Sequence, residues 1–94
     1  MNTKVEEIIQ KAKTEGEVFL ASLSPEELKK TDFTPLEPEE EFWQFDYVDI
    51  YLQYTCKEGF KFKYRFWSEN TFSDYYETIE EKYIAEIIQD YIGE

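Results

Sequence analysis

The chain has 94 residues, with 22 Asp and Glu against 10 Lys and Arg and no histidine, for a formal net charge of -12. That charge repels nucleic acid and anionic membrane, and it exceeds the magnitude of about 2–8 that already keeps a small domain soluble. Eight Phe, eight Tyr and two Trp exclude the aromatic-poor composition of a disordered acidic tail, so the chain is expected to fold as one small acidic domain over residues 1–94.

Thr3 and Glu6 stand at capping-box spacing, and Val5, Ile8, Ile9, Ala12, Gly16, Phe19, Leu20 and Leu23 recur at intervals of three and four, the period of one helical stripe. The spacing favours a single helix over residues 5–23. Gly16 opposes it, because glycine costs about 1 kcal/mol in a helix interior and is a natural C-terminal stop. The alternative is a helix ending near Lys13, followed by a short strand over residues 17–22. Ser24, Pro25 and Glu27 then supply the N-cap, the first-turn proline and the capping-box carboxylate of a short helix over about residues 25–30. Residues 31–41 contain Pro35, Pro38 and the run Glu39-Glu40-Glu41, and read as an extended acidic connection.

Beyond the connection the period becomes two. Val48, Ile50, Leu52, Tyr54 and Cys56 alternate with Asp49, Tyr51, Gln53 and Thr55, and Phe60, Phe62, Tyr64 and Phe66 alternate with Lys61, Lys63, Arg65 and Trp67, which predicts a long antiparallel hairpin. A two-residue loop at Glu58-Gly59 would set Tyr54 opposite Lys63. A three-residue loop, Lys57-Glu58-Gly59, pairs Cys56 with Phe60, Tyr54 with Phe62, Leu52 with Tyr64 and Ile50 with Phe66, and keeps one face apolar. Phe62 and Tyr64 are then buried, while Lys61, Lys63 and Arg65 form a basic strip on the wet face that pairs internally with acidic side chains or closes a homodimer. Trp43, Phe45 and Tyr47 reverse the phase, so a bulge or bend is expected near Asp46. From about residue 71 to 92, Phe72, Tyr76, Ile79, Tyr83, Ile84, Ile87, Ile88 and Tyr91 fall on one helical face, predicting a C-terminal helix capped by Thr71 or Ser73. The expected fold class is α+β: an N-terminal helical segment, a long antiparallel hairpin and a C-terminal helix packed on its apolar face. A third strand near residues 17–23, or a dimer, completes the thin core.

Without histidine there is no imidazole base, no Ser-His or Cys-His nucleophile pair and no imidazole metal ligand, and one cysteine cannot build a zinc site. Glu80-Glu81-Lys82 offers the Glu-x-Lys of some nucleases, but mid-helix in a chain that repels DNA; no EF-hand loop, phosphate-binding glycine loop or paired-aspartate motif is present. The chain is therefore expected not to be an enzyme and to need no cofactor and no metal. Cys56 is alone and reads as a small buried hydrophobe in a reducing compartment. No apolar run approaches the roughly 20 residues of a membrane span, and residues 1–7 lack the apolar core of a signal peptide. The expected location is cytoplasmic, that of a bacterial host cell if the protein is phage-encoded.

Residues 31–56 carry seven acidic and no basic residues, residues 57–65 four basic and one acidic, and residues 66–94 eight acidic and one basic. Candidate partner-binding residues are Glu37, Glu39, Glu40, Glu41 and Asp46 in the first acidic block and Glu77, Glu81, Glu86 and Asp90 in the second. On a helix, Glu77 and Glu81 are one turn apart on one flank and Glu86 and Asp90 on the other, and like charges at that spacing cost a few tenths of a kcal/mol per pair. The bland alternative is a solvated linker and a solubilising face. Glu80 falls inside the apolar stripe, which calls for a base or tyrosine hydroxyl in the fold, or for an interface. Trp43, Phe45, Tyr47, Tyr51 and Trp67 suit a second small core or a protein anchor better than a nucleobase platform.

The expectation for function is a non-enzymatic acidic protein that occupies the basic groove of a nucleic-acid-binding protein. It would inhibit by DNA or RNA mimicry, as small phage-encoded anti-CRISPR and anti-restriction proteins do, a comparison of class that carries no residues over. The alternative is an immunity or antitoxin protein neutralising a cationic toxin. Either needs a basic protein surface as partner and makes no direct contact with nucleic acid or membrane; a homodimer is left open.

Overall fold

The computed structural model describes residues 3–31 and 44–92. Helix α1 (Thr3–Glu15) leads into strand β1 (Glu17–Leu23), short helix α2 (Pro25–Lys29), strands β2 (Tyr47–Thr55), β3 (Gly59–Ser68) and β4 (Thr71–Thr78), a 3-10 turn (Glu81–Tyr83) and helix α3 (Ile84–Ile92). The strands form one antiparallel sheet in the order β1-β2-β3-β4, and α1 and α3 pack on one of its faces. The fold class is α+β, as expected. No helix among the described residues is long and apolar enough to cross a membrane.

The single helix over residues 5–23 does not form. Gly16 adopts φ +89, a conformation that costs glycine nothing and other residues strain, and this ends α1. Its N–H closes the helix on the Ala12 carbonyl at 2.8 Å, and its own carbonyl accepts the Tyr54 N–H at 2.9 Å. One residue thus terminates the helix and starts the sheet pairing of β1, the strand weighed as the alternative. Residues 71–92 also divide. Glu69 and Asn70 both take positive φ, 36 and 70, the two-residue turn that joins strands without splaying them. The chain therefore returns as β4 instead of starting a helix, and Thr71 and Ser73 are strand residues, not caps. The α2 capping box forms as expected, with Glu27 N–H on the Ser24 hydroxyl and Ser24 N–H on the Glu27 carboxylate.

The hairpin β2–β3 has the expected apolar face in a different register. Tyr54 lies opposite Phe60, Leu52 opposite Phe62, Ile50 opposite Tyr64 and Val48 opposite Phe66, two residues away from the expected pairing. Both pairings keep the same residues inward, since a slip of two preserves the face. Thr55 pairs with Gly59, whose φ is +77, so the loop is Cys56-Lys57-Glu58. Cys56 is consequently exposed, not a buried hydrophobe. Asp46 forms the expected bend, its N–H donating to the Trp67 carbonyl at 2.7 Å, and Phe45 turns inward against Phe66.

The core lies between the sheet and the helices: Val48, Ile50, Leu52, Phe62 and Tyr64 from the sheet, Val5 and Ala12 from α1, Leu28 from α2, and Ile84, Ile87, Ile88 and Tyr91 from α3. Two buried hydroxyls are accommodated by a relay in which Tyr91 donates to Tyr64 at 3.1 Å and Tyr64 to Glu77 at 3.4 Å. Burial pushes both phenols well above their ordinary range. Phe62→Ala is expected to cost about 3–5 kcal/mol in denaturant unfolding, against less than about 1 kcal/mol for Lys63→Ala, a half-buried side chain whose ion pair with the more exposed Glu17 is long at 3.8 Å. Tyr64→Phe removes two hydrogen bonds at once and is expected to cost about 1–3 kcal/mol by the same measurement.

Candidate binding surfaces

Residues paired across neighbouring strands share a face, so the register sets what the sheet shows on the side away from α1 and α3. Along β3 these are Lys61, Lys63, Arg65 and Trp67; around them stand Phe19 and Glu17 of β1, Tyr47, Asp49 and Tyr51 of β2, and Phe72, Asp74 and Tyr76 of β4. A bulge between Phe19 and Ala21 re-aims β1 so that Phe19 faces outward beside Tyr51 at a ring separation of 5.6 Å while Ala21 turns toward Ile50.

Each base of the strip is paired internally. Arg65 forms a two-bonded fork with Asp74 at 2.7 and 3.0 Å, Lys63 lies 3.8 Å from Glu17 and 5.2 Å above the Tyr51 ring, and Lys61 lies 3.0 Å from Glu58. Arg65 also sits 4.5 Å from the centroid of Phe72, within the range of a cation–π contact. The Trp67 indole N–H donates to Asp49 at 2.9 Å while its ring stacks on Tyr47. The strip is thus a set of charge-neutral, aromatic-flanked pairs.

The acidic candidates are not gathered into one cluster. Glu37, Glu39, Glu40 and Glu41 lie outside the described residues. Asp46 is exposed, and its carboxylate accepts the Glu69 N–H at 3.4 Å. Glu77 is on β4, not a helix; it is opposite Phe62, half-buried, and engaged by Tyr64. Glu81 is in the 3-10 turn, 3.4 Å from Lys13, so Glu77 and Glu81 are not a like-charge pair on one helix flank. Glu80 is not in an apolar stripe: it precedes the 3-10 turn, exposed, 3.3 Å from Lys82. Glu86 and Asp90 do stand one turn apart on α3, which has no basic residue. The sequence reading missed Phe19, Phe72 and Tyr76 as surface residues. The signal that could have found the last two is Asn70, a residue tolerant of the left-handed turn that starts β4.

Between α1, β1 and the end of α3 lies an open groove of about 600 Å³, bordered by Lys4, Glu7 and Lys11 on one side and Tyr91 and Ile92 on the other. Among the described residues, no group of three or more Cys, Asp or Glu side chains is placed to hold a metal ion. No family model, no curated protein and no solved structure matches the chain.

The fork to Arg65 holds the Asp74 carboxyl below its ordinary value, about 3.9 for aspartate. A depressed carboxyl contributes stability above its unfolded value and loses it as pH falls through its folded value. Stability measured across the range below about pH 4 is expected to fall less steeply in Asp74→Asn than in the wild type.

Proposed function

We propose that this protein is a non-enzymatic binding protein whose acidic surface occupies the basic groove of a nucleic-acid-binding protein and excludes nucleic acid by mimicry. The observation that carries the reading is the separation of charge. The bases of β3 are matched by carboxylates within the fold, and acidic residues are concentrated in other parts of the sequence: α3 contains Glu86 and Asp90 and no base, and residues 32–43 contain five acids and no base. Asp90 also sits in the last turn of α3, at the negative end of the helix dipole. Like charges one turn apart, one of them at the negative end of the dipole, suit attraction of a cationic surface at long range. Carboxylates four residues apart on a helix are separated by about 6 Å of rise, a spacing comparable with successive phosphates of a strand.

The reading is tested by affinity capture from bacterial lysate, identification of the bound protein by mass spectrometry, and titration of the purified pair. The expected partner binds nucleic acid, and a duplex or single-stranded competitor displaces it. Affinity falls steeply between low and physiological salt, where the Debye length shrinks to about 8 Å. Glu86→Lys with Asp90→Lys, and separately Glu39→Lys with Glu40→Lys and Glu41→Lys, weaken binding without changing the circular dichroism spectrum. Affinity indifferent to salt, or full binding by both variants, overturns the proposal; capture of a cationic toxin would transfer the same electrostatics to an immunity protein.

A further inference from the structure

We propose that the outer face of the sheet is a self-association surface, covered in solution by a second copy of this chain. The helices pack on the opposite face, and among the described residues no element lies across this one. It presents six aromatic side chains, Phe19, Tyr47, Tyr51, Trp67, Phe72 and Tyr76, of which Phe19, Phe72 and Tyr76 are 54%, 52% and 50% exposed. Phe19 and Tyr76 lie at opposite margins, so the patch spans all four strands. Contiguous exposed apolar area of that kind marks an interaction site, and tyrosine, tryptophan and arginine are the residues that anchor one.

Charge selects the occupant. On this face Glu58, Glu17 and Asp74 match Lys61, Lys63 and Arg65, and Asp49 accepts from the Trp67 indole, so among the described residues the face carries little of the chain's net negative charge. A cationic partner is drawn to the acidic remainder of the chain and finds little net attraction here. A second copy is repelled from the remainder and finds here a nearly neutral, self-complementary surface on which the two excesses are held apart. Each base already has its carboxylate within its own chain and Asp49 accepts the Trp67 indole N–H, so burying the face leaves none of these ions without a hydrogen-bond or ion-pair partner. Four strands about 4.8 Å apart and about eight residues long, at about 3.3 Å each, give a footprint of roughly 500 Å². That is the small end of specific interfaces, so the dimer is reversible and concentration-dependent.

This proposal does not rest on the mimicry reading, and salt separates the two. Screening weakens attraction to a basic partner but relieves repulsion between two anionic copies, so self-association tightens as salt rises. The test is sedimentation velocity over a wide range of protein concentration at low and high salt. It compares the wild type with Phe72→Glu/Tyr76→Glu and with Phe19→Glu, and uses Glu86→Gln as a control away from the face. The wild type and the control are expected to pass from monomer to dimer with rising concentration, more completely at high salt. The face variants are expected to dimerise at least about tenfold more weakly with unchanged circular dichroism. A wild type that stays monomeric at the highest concentration and salt overturns the proposal, as do face variants that dimerise like the wild type. Growth beyond a dimer also overturns it, pointing instead to strand addition at the β4 edge. If one variant fails to fold, the other and the wild-type series still decide.

Discussion

The alternation of β3 is the constraint on which the remainder of the structure rests. Phe60, Phe62, Tyr64 and Phe66 turn inward and Lys61, Lys63 and Arg65 outward, and a slip of one residue would exchange the core for the strip. Three bases on one face of a strand repel one another unless acids stand nearby, so the neighbouring elements are committed in turn. Asp74 must come from β4 and Glu17 from β1, and β1 reaches its place only because Gly16 ends α1 where it does. Composition makes the constraint sharper: with ten bases against 22 acids, a base placed in β3 is unavailable to neutralise the rest of the surface.

The inner face carries a second dependence. Tyrosines in a core need partners for their hydroxyls, and the Tyr91–Tyr64–Glu77 relay supplies them along a line from α3 through the sheet to β4. Glu77 reads from sequence as a binding carboxylate, yet its place opposite Phe62 makes it the acceptor that ties the edge strand to the core. The outer face is held by the Arg65–Asp74 fork and the inner face by the tyrosine relay, which together secure a β4 strand that is otherwise mostly exposed.

The alternating strands were legible because period two is unambiguous over nine or ten residues. Their pairing was not, because a shift of two leaves every side chain on its own face and only the loop distinguishes the registers. Phe72, Tyr76 and Ile79 satisfy a helical spacing as well as a strand followed by a turn, and the periodicity gives no means of choosing; the Glu69-Asn70 turn does. Phe19 fits a helical stripe in the same way, although Gly16 already marks the break. A helical stripe places Phe19, Phe72 and Tyr76 in the core, which conceals the margins of an aromatic face whose centre, Tyr47, Tyr51 and Trp67, the alternation of β2 and β3 does show. The one-turn spacing of Glu86 and Asp90 is legible because α3 is a regular helix with a plain apolar face.

Among the described residues, charge and aromatic area are therefore sorted onto different surfaces: a nearly neutral aromatic sheet face, and an acidic α3 on the other side of the sheet. This separation is most directly measured by titrating isotope-labelled protein with a lysine-rich peptide and following backbone amide chemical shifts. The account predicts saturable changes at Glu86, Asp90 and their neighbours on α3, with Lys63, Arg65 and Trp67 on β3 unmoved. Changes centred on β3, with α3 silent, would contradict it.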